Sequence, residues 1–158
     1  MVYQTDALQE DITLVGPVIN HLFVSTTGTD ADYVVKLIDV YPESEADFNG
    51  KTMAGYEMLV RGEIMRGKYR NGFDKPEAFQ PGFVTKVNYD MPDIAHTFKK
   101  GHRIMIQVQN SWFPLADRNP QKFMNIYEAT SADFQKATHR IFHDVKNPTS
   151  VEVSVLKN

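Results

Sequence analysis

His102, Ser111 and Asp117 are the residue types of a nucleophilic triad, and they fall within one short stretch of the chain. In such a triad the serine attacks, the histidine takes its proton and the carboxylate orients the histidine. The sequence has no G-x-S-x-G nucleophile elbow and no glycine-rich phosphate loop. Nothing in the spacing brings the three side chains together. Their chance occurrence is therefore favoured, and we predict no catalytic residue in this chain.

The histidines and paired acids do not predict a metal site. His139 and His143 are four residues apart, which is a ligand spacing only on a helix, whereas this segment has the pattern of a strand. Structural histidines are favoured there. Asp30 and Asp32 supply too few oxygens for calcium, and a turn-capping role is favoured. The chain has no cysteine, so disulfides and thiolate ligands are excluded, and no cofactor is predicted.

An aromatic pair followed by proline, Trp112-Phe113-Pro114, is the third candidate feature. It follows shortly after an alternating strand, residues 103–108, and precedes a loop rich in polar side chains. Three partners remain open for these aromatics: a neighbouring domain, the core of their own sandwich, or a small ligand such as a sugar. We expect Trp112, Phe113 and Pro114 to supply apolar contact. The polar residues expected to hold the loop are His102, Arg103, Asp117, Arg118 and Asn119.

The elements that must position these residues read as strands separated by turns. The predicted strands are residues 12–14, 18–25, 32–41, 56–70, 83–91, 103–108, 139–145 and 151–155. Only residues 131–138 predict a helix, a short one with Ser131 as its N-cap. Eight strands with one short helix indicate an all-β protein, a jelly-roll-like antiparallel β-sandwich. We expect a single domain over residues 1–158.

The amino-acid composition limits the classes of molecule that this chain is expected to bind. The chain has 17 basic and 20 acidic side chains, a net charge of −3 and no basic stripe, so nucleic acid is a poor partner. No apolar run is long enough to cross a bilayer, and the first residues are polar rather than signal-like. We therefore expect no membrane partner. The compartment is left open by these features.

Four stretches of the sequence resemble a known family. They are ITLVGPVINHLFVSTTGTDADYVVKLIDVYP over residues 12–42, RGEIMR over 61–66, Pro81-Gly82 before a strand, and residues 98–119, which contain GHRI and FPLADRNP. Together they resemble the C-terminal domain of X-Pro dipeptidyl-peptidases and cocaine esterase-type serine hydrolases. The tail, with NIYEA over residues 125–129 and KATHRIFHD over 136–144, is most similar to the glutaryl-7-aminocephalosporanic acid acylase and α-amino-acid ester hydrolase branch.

The resemblance implies a galactose-binding-domain-like jelly roll attached to an α/β-hydrolase domain, with the chain as the C-terminal piece of a longer, plausibly exported hydrolase. In that family the serine, aspartate and histidine of the triad lie in the hydrolase part, so no catalytic residue is carried over. The implied role is to pack on that domain and help wall its substrate cleft. A trimmed sandwich would also expose a sheet edge and favour self-association. The alternative function is a free-standing carbohydrate-binding module with Trp112 as its platform.

Overall fold

Eight strands form two antiparallel sheets in the computed structural model, which describes residues 1–157. The strands are β1 (Val2–Gln4), β2 (Ile12–Thr26), β3 (Asp32–Val40), β4 (Glu57–Arg66), β5 (Thr85–Phe98), β6 (Arg103–Gln109), β7 (His139–Ile141) and β8 (Ser150–Val155). One sheet has the order β1–β6–β3–β4; the other has β5–β2–β7, with β8 also paired to β2. The predicted all-β antiparallel sandwich is confirmed. No helix within the described residues has the length and apolar character needed to span a membrane.

The core lies between the two sheets, and β3 is its central strand. Tyr33, Val35 and Leu37 alternate along β3 and face the core, where they pack with side chains such as Leu22 and Phe98 from the opposite sheet. The intervening Val34 and Ile38 of β3 are also buried. A strand that is covered on both faces matches the apolar run seen in the sequence.

Pro17 and Pro92 lie just outside the predicted strands 18–25 and 83–91, but in the structure they lie within strands, opposite each other at one irregularity. Gly16 pairs with Ile94 and Val18 pairs with Met91, so Pro17 faces the two residues Pro92 and Asp93. Because proline has no N–H to donate, such a break in the ladder is a position where it fits within a strand. Residues 12–26 are therefore one strand, and β5 continues through Pro92 to Phe98.

The predicted helix over residues 131–138 is wrong. Only a 3-10 turn, Ser131–Asp133, forms there, and its N-cap is Thr130 rather than Ser131. The Asp133 carboxylate accepts from Thr130 N at 3.0 Å and from the Thr130 hydroxyl at 2.9 Å. After this turn the chain is extended, because Gln135 N donates to Pro120 O and Thr138 N to Thr27 Oγ1. These long-range bonds replace the bonds of a helix.

Candidate interface formed by the aromatic loop

The segment between β6 and β7, residues 110–138, carries a concentration of exposed apolar side chains. They are Phe113, Leu115, Phe123, Tyr127 and Phe134, and the exposed fraction reaches 64% for Phe113 and 86% for Tyr127. Large apolar groups gathered on a surface mark a contact site. We call residues 110–120 the aromatic loop and residues 110–138 the β6–β7 connection.

Arg118 joins two parts of this surface. Its guanidinium carbon lies 5.9 Å from the ring centroid of Phe113 and 5.1 Å from that of Phe134. Both distances are within the range of cation–π contacts. The aromatic loop and the segment before β7 therefore meet at Arg118, although they are separated in sequence.

Trp112 is half-buried and lies against its own sheet. A Cβ placed on Gly62 of β4 would be 2.5 Å from the indole Cη2, so only glycine admits the ring at this distance. The ammonium of Lys36 on β3 lies 4.5 Å from the ring centroid. Trp112 thus forms the base of the aromatic loop. Lys36 and Gly62 lie against its ring, whereas the rings of Phe113 and Tyr127 are the more exposed aromatic groups of this region.

Asn119 fastens the aromatic loop to the start of β3. Its side-chain amide donates to Asp32 Oδ1 at 2.8 Å, and its side-chain oxygen accepts from Gln121 N at 2.8 Å. Both Asn119 and Asp32 are buried. A buried polar group that loses its hydrogen-bond partner costs free energy, so moving the loop away from Asp32 is unfavourable. This pair therefore fixes the position of the loop.

Further bonds continue the attachment along the β6–β7 connection. The ammonium of the buried Lys68 donates a hydrogen bond to Met124 O at 2.8 Å. Thr29 N donates to Gln121 O at 3.1 Å, and Thr29 Oγ1 accepts from Phe123 N at 2.9 Å. The connection has little regular secondary structure, yet its backbone is held at several points by the sandwich.

Burial raises the pKa of the two acids beneath the loop. The Asp32 pKa is raised to about 6, because desolvation outweighs the Asn119 hydrogen bond and the nearby Arg66. Arg66 Nη2 lies 3.9 Å from Asp32 Oδ2 and also donates to Asp117 O at 3.4 Å. Desolvation raises the Asp30 pKa in the same way. The capping role predicted for these aspartates agrees with the bond that Asp30 Oδ1 accepts from Ala31 N. Their complete burial beneath the loop has no signal in the sequence.

His102 and Arg103 were predicted to hold the loop, and that prediction is wrong. His102 Nδ1 bonds Asp39 Oδ1 at 2.8 Å, and Arg103 donates to Thr5 O at 3.0 Å. Both residues lie at the opposite end of the seven-residue strand β6 from the loop. A strand of that length spans roughly 23 Å. His102 is consequently far from Ser111 and Asp117, and the three triad-type residues are not brought together.

A polar cluster that the sequence did not reveal lies at that opposite end. The buried Asp39 accepts from His102 and is also 2.8 Å from His96 Nε2, so one carboxylate bonds two imidazoles. His96 belongs to β5 and Asp39 to β3, which places the cluster across the two sheets. Sequence separations of 57 and 63 residues explain why no spacing motif indicated it.

His139 and His143 have structural surroundings rather than a shared ligand geometry. His139, on β7, lies edge-on to the Tyr33 ring at 6.0 Å, and burial lowers its pKa. His143 forms an isolated bridge with Pro148. Within residues 1–157, no three histidine, aspartate or glutamate side chains are grouped so that they could hold a metal ion.

Residues 1–152 match the family model of the X-Pro dipeptidyl-peptidase C-terminal non-catalytic domain. The chain belongs to this family.

Known proteins that are similar to this chain are longer than it is. Cocaine esterase of Rhodococcus sp. (strain MB1 Bresler) is 29% identical over 157 residues, covering 99% of this chain and 25% of the esterase. A crystal structure of an aminopeptidase from the marine sediment archaeon Thaumarchaeota archaeon superposes with a TM-score of 0.94 and 40% identity, covering 99% of this chain and 26% of the aminopeptidase. A selenomethionine-labelled α-amino acid ester hydrolase gives 0.93 and 41%, with 99% and 25% covered. The chain thus spans about a quarter of each.

Proposed function

We propose that this chain is the C-terminal, non-catalytic β-sandwich of a longer serine hydrolase of the acylase, X-Pro dipeptidyl-peptidase or ester-hydrolase type. The β6–β7 connection packs on the α/β-hydrolase domain of that protein and helps to wall its substrate cleft. The observation that carries this proposal is the exposed apolar surface of the connection, which buried Asn119, Asp32 and Lys68 hold in place. A surface fixed in this way before binding loses less conformational entropy on contact.

The chemistry belongs to the hydrolase domain, where a serine would transfer an acyl group to water through an acyl-enzyme. In this chain Phe113, Pro114 and Leu115 are the contact residues. Trp112 supports them from below, and the exposed Arg118 and Asp117 are placed to pair with charges of the partner. Asn119 is a positioning residue.

The full-length protein tests this role with two phenylalanines of nearly equal exposure. Phe113→Ala removes a ring that is 64% exposed on the aromatic loop, and Phe48→Ala removes one that is 66% exposed elsewhere. We expect Phe113→Ala to weaken the contact between domains by about 1–2 kcal/mol, as at interface hot spots. The measured result would be a lower melting temperature of the full-length protein and a lower kcat/KM, with Phe48→Ala close to wild type.

The same two variants are also measured in the isolated chain. Because Phe113 is exposed there, Phe113→Ala should leave the chain's own stability nearly unchanged. An equal loss of stability in the isolated chain and in the full-length protein, or equal effects of the two variants, would contradict the proposed contact.

We also propose that the isolated chain self-associates through β8. Among the described residues β8 pairs with β2 alone, so its other side is a free sheet edge. Val153, Val155 and Leu156 are exposed along or directly after this strand. An exposed edge with apolar side chains is a template for pairing with another chain.

A further inference from the structure

A cleft opens at the end of the sandwich opposite to the aromatic loop. It lies between the β3–β4 connection, residues 41–56, and the chain that joins β5 to β6, and its volume is about 480 Å³. Its inner wall is the polar cluster of Asp39, His96 and His102. This volume is in the range of sites that hold small organic molecules.

The β3–β4 connection that forms the outer wall is held in shape by its own backbone. Phe48 and Lys51 exchange two backbone hydrogen bonds of 3.0 Å, and Asn49-Gly50 between them has positive φ at both residues. This is the conformation of a type I′ hairpin turn. At the base of the connection, Tyr41 N donates to Tyr56 O at 2.9 Å. The cleft is therefore formed before any ligand enters it.

His102 presents one free acceptor nitrogen to the cleft. The residue is only 5% exposed, and its Nδ1 lies 2.8 Å from Asp39 Oδ1. Because a carboxylate only accepts, Nδ1 carries a proton, and Nε2 of the neutral ring is an acceptor. Within residues 1–157 Nε2 makes no hydrogen bond, since Glu45 Oε2 at 3.8 Å is too distant. Unlike the ring nitrogens of His139, it is not enclosed.

The charges around the cleft are mainly negative. Three carboxylates line it, those of Asp39, Glu45 and Asp47, whereas Lys99 supplies one ammonium group. Burial, followed by the charges of Asp39 and Glu45, raises the pKa of Tyr41, so its hydroxyl is uncharged. The cleft therefore favours a positive group and disfavours an anion.

A primary ammonium group has the matching pattern. Its nitrogen can lie about 2.9 Å from both His102 Nε2 and Glu45 Oε2, because these two atoms are 3.8 Å apart, and it can donate to both. Tyr41, Phe48 and Met53 supply aromatic and apolar surface for the attached carbons. A metal ion does not fit, since residues 1–157 contain no group of three suitable ligands.

We propose that this cleft binds a small primary amine with an apolar or aromatic body, whose ammonium group donates to His102 Nε2 and to the Glu45 carboxylate. Asp39 is a positioning residue that fixes the tautomer of the His102 ring. The inference goes beyond the proposed function, because the cleft lies at the other end of β6 from the aromatic loop.

Isothermal titration calorimetry with 2-phenylethylamine tests the site in the full-length protein and in residues 1–158. At pH 8 this amine is protonated and imidazole is ordinarily neutral. We expect saturable binding with a Kd on the order of 1 mM or lower in both proteins. 2-Phenylethanol and 3-phenylpropionate share the ring but lack the positive charge, and they should bind at least about tenfold more weakly. Absence of amine binding, or equal binding of the alcohol, would overturn the inference.

Glu45→Gln locates the binding in this cleft. It keeps the shape of a partly exposed side chain and removes its charge, so amine binding should weaken about tenfold. Glu43→Gln removes the same charge from an exposed acid of the same connection that does not line the cleft, and it should leave binding unchanged. Equal effects of the two variants, or no effect of Glu45→Gln, would show that the amine binds elsewhere.

A quaternary amine tests the hydrogen bond to His102. Trimethyl(2-phenylethyl)ammonium keeps the charge and the ring but has no N–H, so it cannot donate to Nε2. It should bind at least about tenfold more weakly than 2-phenylethylamine. Equal binding of the two cations would overturn the bonds assigned to the ammonium group.

Lys99→Gln provides a variant in which binding should increase. It removes the opposing positive charge from the wall of the cleft, and 2-phenylethylamine should bind about twofold more tightly. A damaged fold would not produce such a gain. Unchanged or weaker binding would contradict a cleft that selects its ligand by positive charge.

Discussion

Asn119 and Asp32 show how one buried bond decides the shape of a long loop. The two residues are 87 positions apart, and the bond between them crosses from the aromatic loop to the first residue of β3. The sequence indicated Asn119 as a loop-fixing residue, but it could not supply the partner, because no local pattern encodes a contact of that separation. The raised pKa of Asp32 follows from the same burial.

Asp32→Asn should change the pH dependence of stability. An acid whose pKa is 3.8 unfolded and about 6 folded binds its proton more tightly in the folded state. The free energy of unfolding therefore falls as pH rises from about 4 to about 6, by on the order of 3 kcal/mol, and is then constant. Asparagine keeps an oxygen that accepts from Asn119 but does not titrate, so this fall should disappear.

Urea unfolding between pH 4 and pH 7.5 measures the effect, with Asp74→Asn at an exposed aspartate as the control. The control should retain the wild-type slope. His139, whose pKa is lowered by burial, contributes in the opposite direction, because stability is lost as pH falls below its unfolded value. The difference between wild type and Asp32→Asn isolates the aspartate. Parallel curves for these two proteins would exclude Asp32 as the titrating group.

The alternation of apolar and polar residues predicted most of the strands correctly, but it predicted poorly where they begin and end. The central strand β3 could be predicted from a short run that is apolar on both faces, and β6 from apolar residues that repeat with period two. β1 was missed, since its three residues are all exposed and carry no pattern. The Pro17–Pro92 irregularity and the Ser131 turn were misread because the deciding bonds come from distant parts of the chain.

Gly62 illustrates the same limit on one strand. The register irregularity of the β3–β4 pair lies between Leu37 and Ile38, whereas Gly62 pairs regularly with Lys36. The glycine is instead the position where the Trp112 ring approaches β4. Sequence patterns show that a glycine is unusual in a strand, but not what comes close to it.

Gly62→Ala should displace Trp112 and loosen the aromatic loop. The added Cβ would lie 2.5 Å from Cη2 and 2.9 Å from Cζ3 of the indole, so the ring must move. We expect a loss of about 1–3 kcal/mol in the free energy of unfolding and faster hydrogen exchange in residues 110–120. Combining it with Trp112→Leu provides the control: the cost of Gly62→Ala should largely vanish in that background. A cost that is the same in both backgrounds would show that the ring is not the obstacle.

The chain spans about a quarter of the length of each of these similar proteins. Its exposed surface includes the apolar β6–β7 connection and the sheet edge at β8. The fold and family could be predicted from the sequence, because strand patterns and family motifs extend over nearly the whole chain. The bonding partners of the candidate interface could not, since they depend on tertiary contacts.

Val153→Lys should reduce self-association of the isolated chain. A lysine on an edge strand opposes pairing with a second edge, because its charge would have to be desolvated or brought close to another copy. Val145→Lys, at an almost fully exposed valine outside β8, is the control. Sedimentation velocity over a range of concentrations should show association for wild type and Val145→Lys and a monomer for Val153→Lys. A wild-type chain that is monomeric throughout would refute the β8 edge as a contact.

The bonds that hold the β6–β7 connection have one consequence for how such domains are exchanged. Thr29, Asp32 and Lys68, which fasten it, all belong to this chain, so the shape of the contact surface is inherited together with the sandwich. When recombination or a designed chimera joins the sandwich to another enzyme, the contact surface is therefore transferred with its shape already set. Compatibility then depends on the recipient's complementary face.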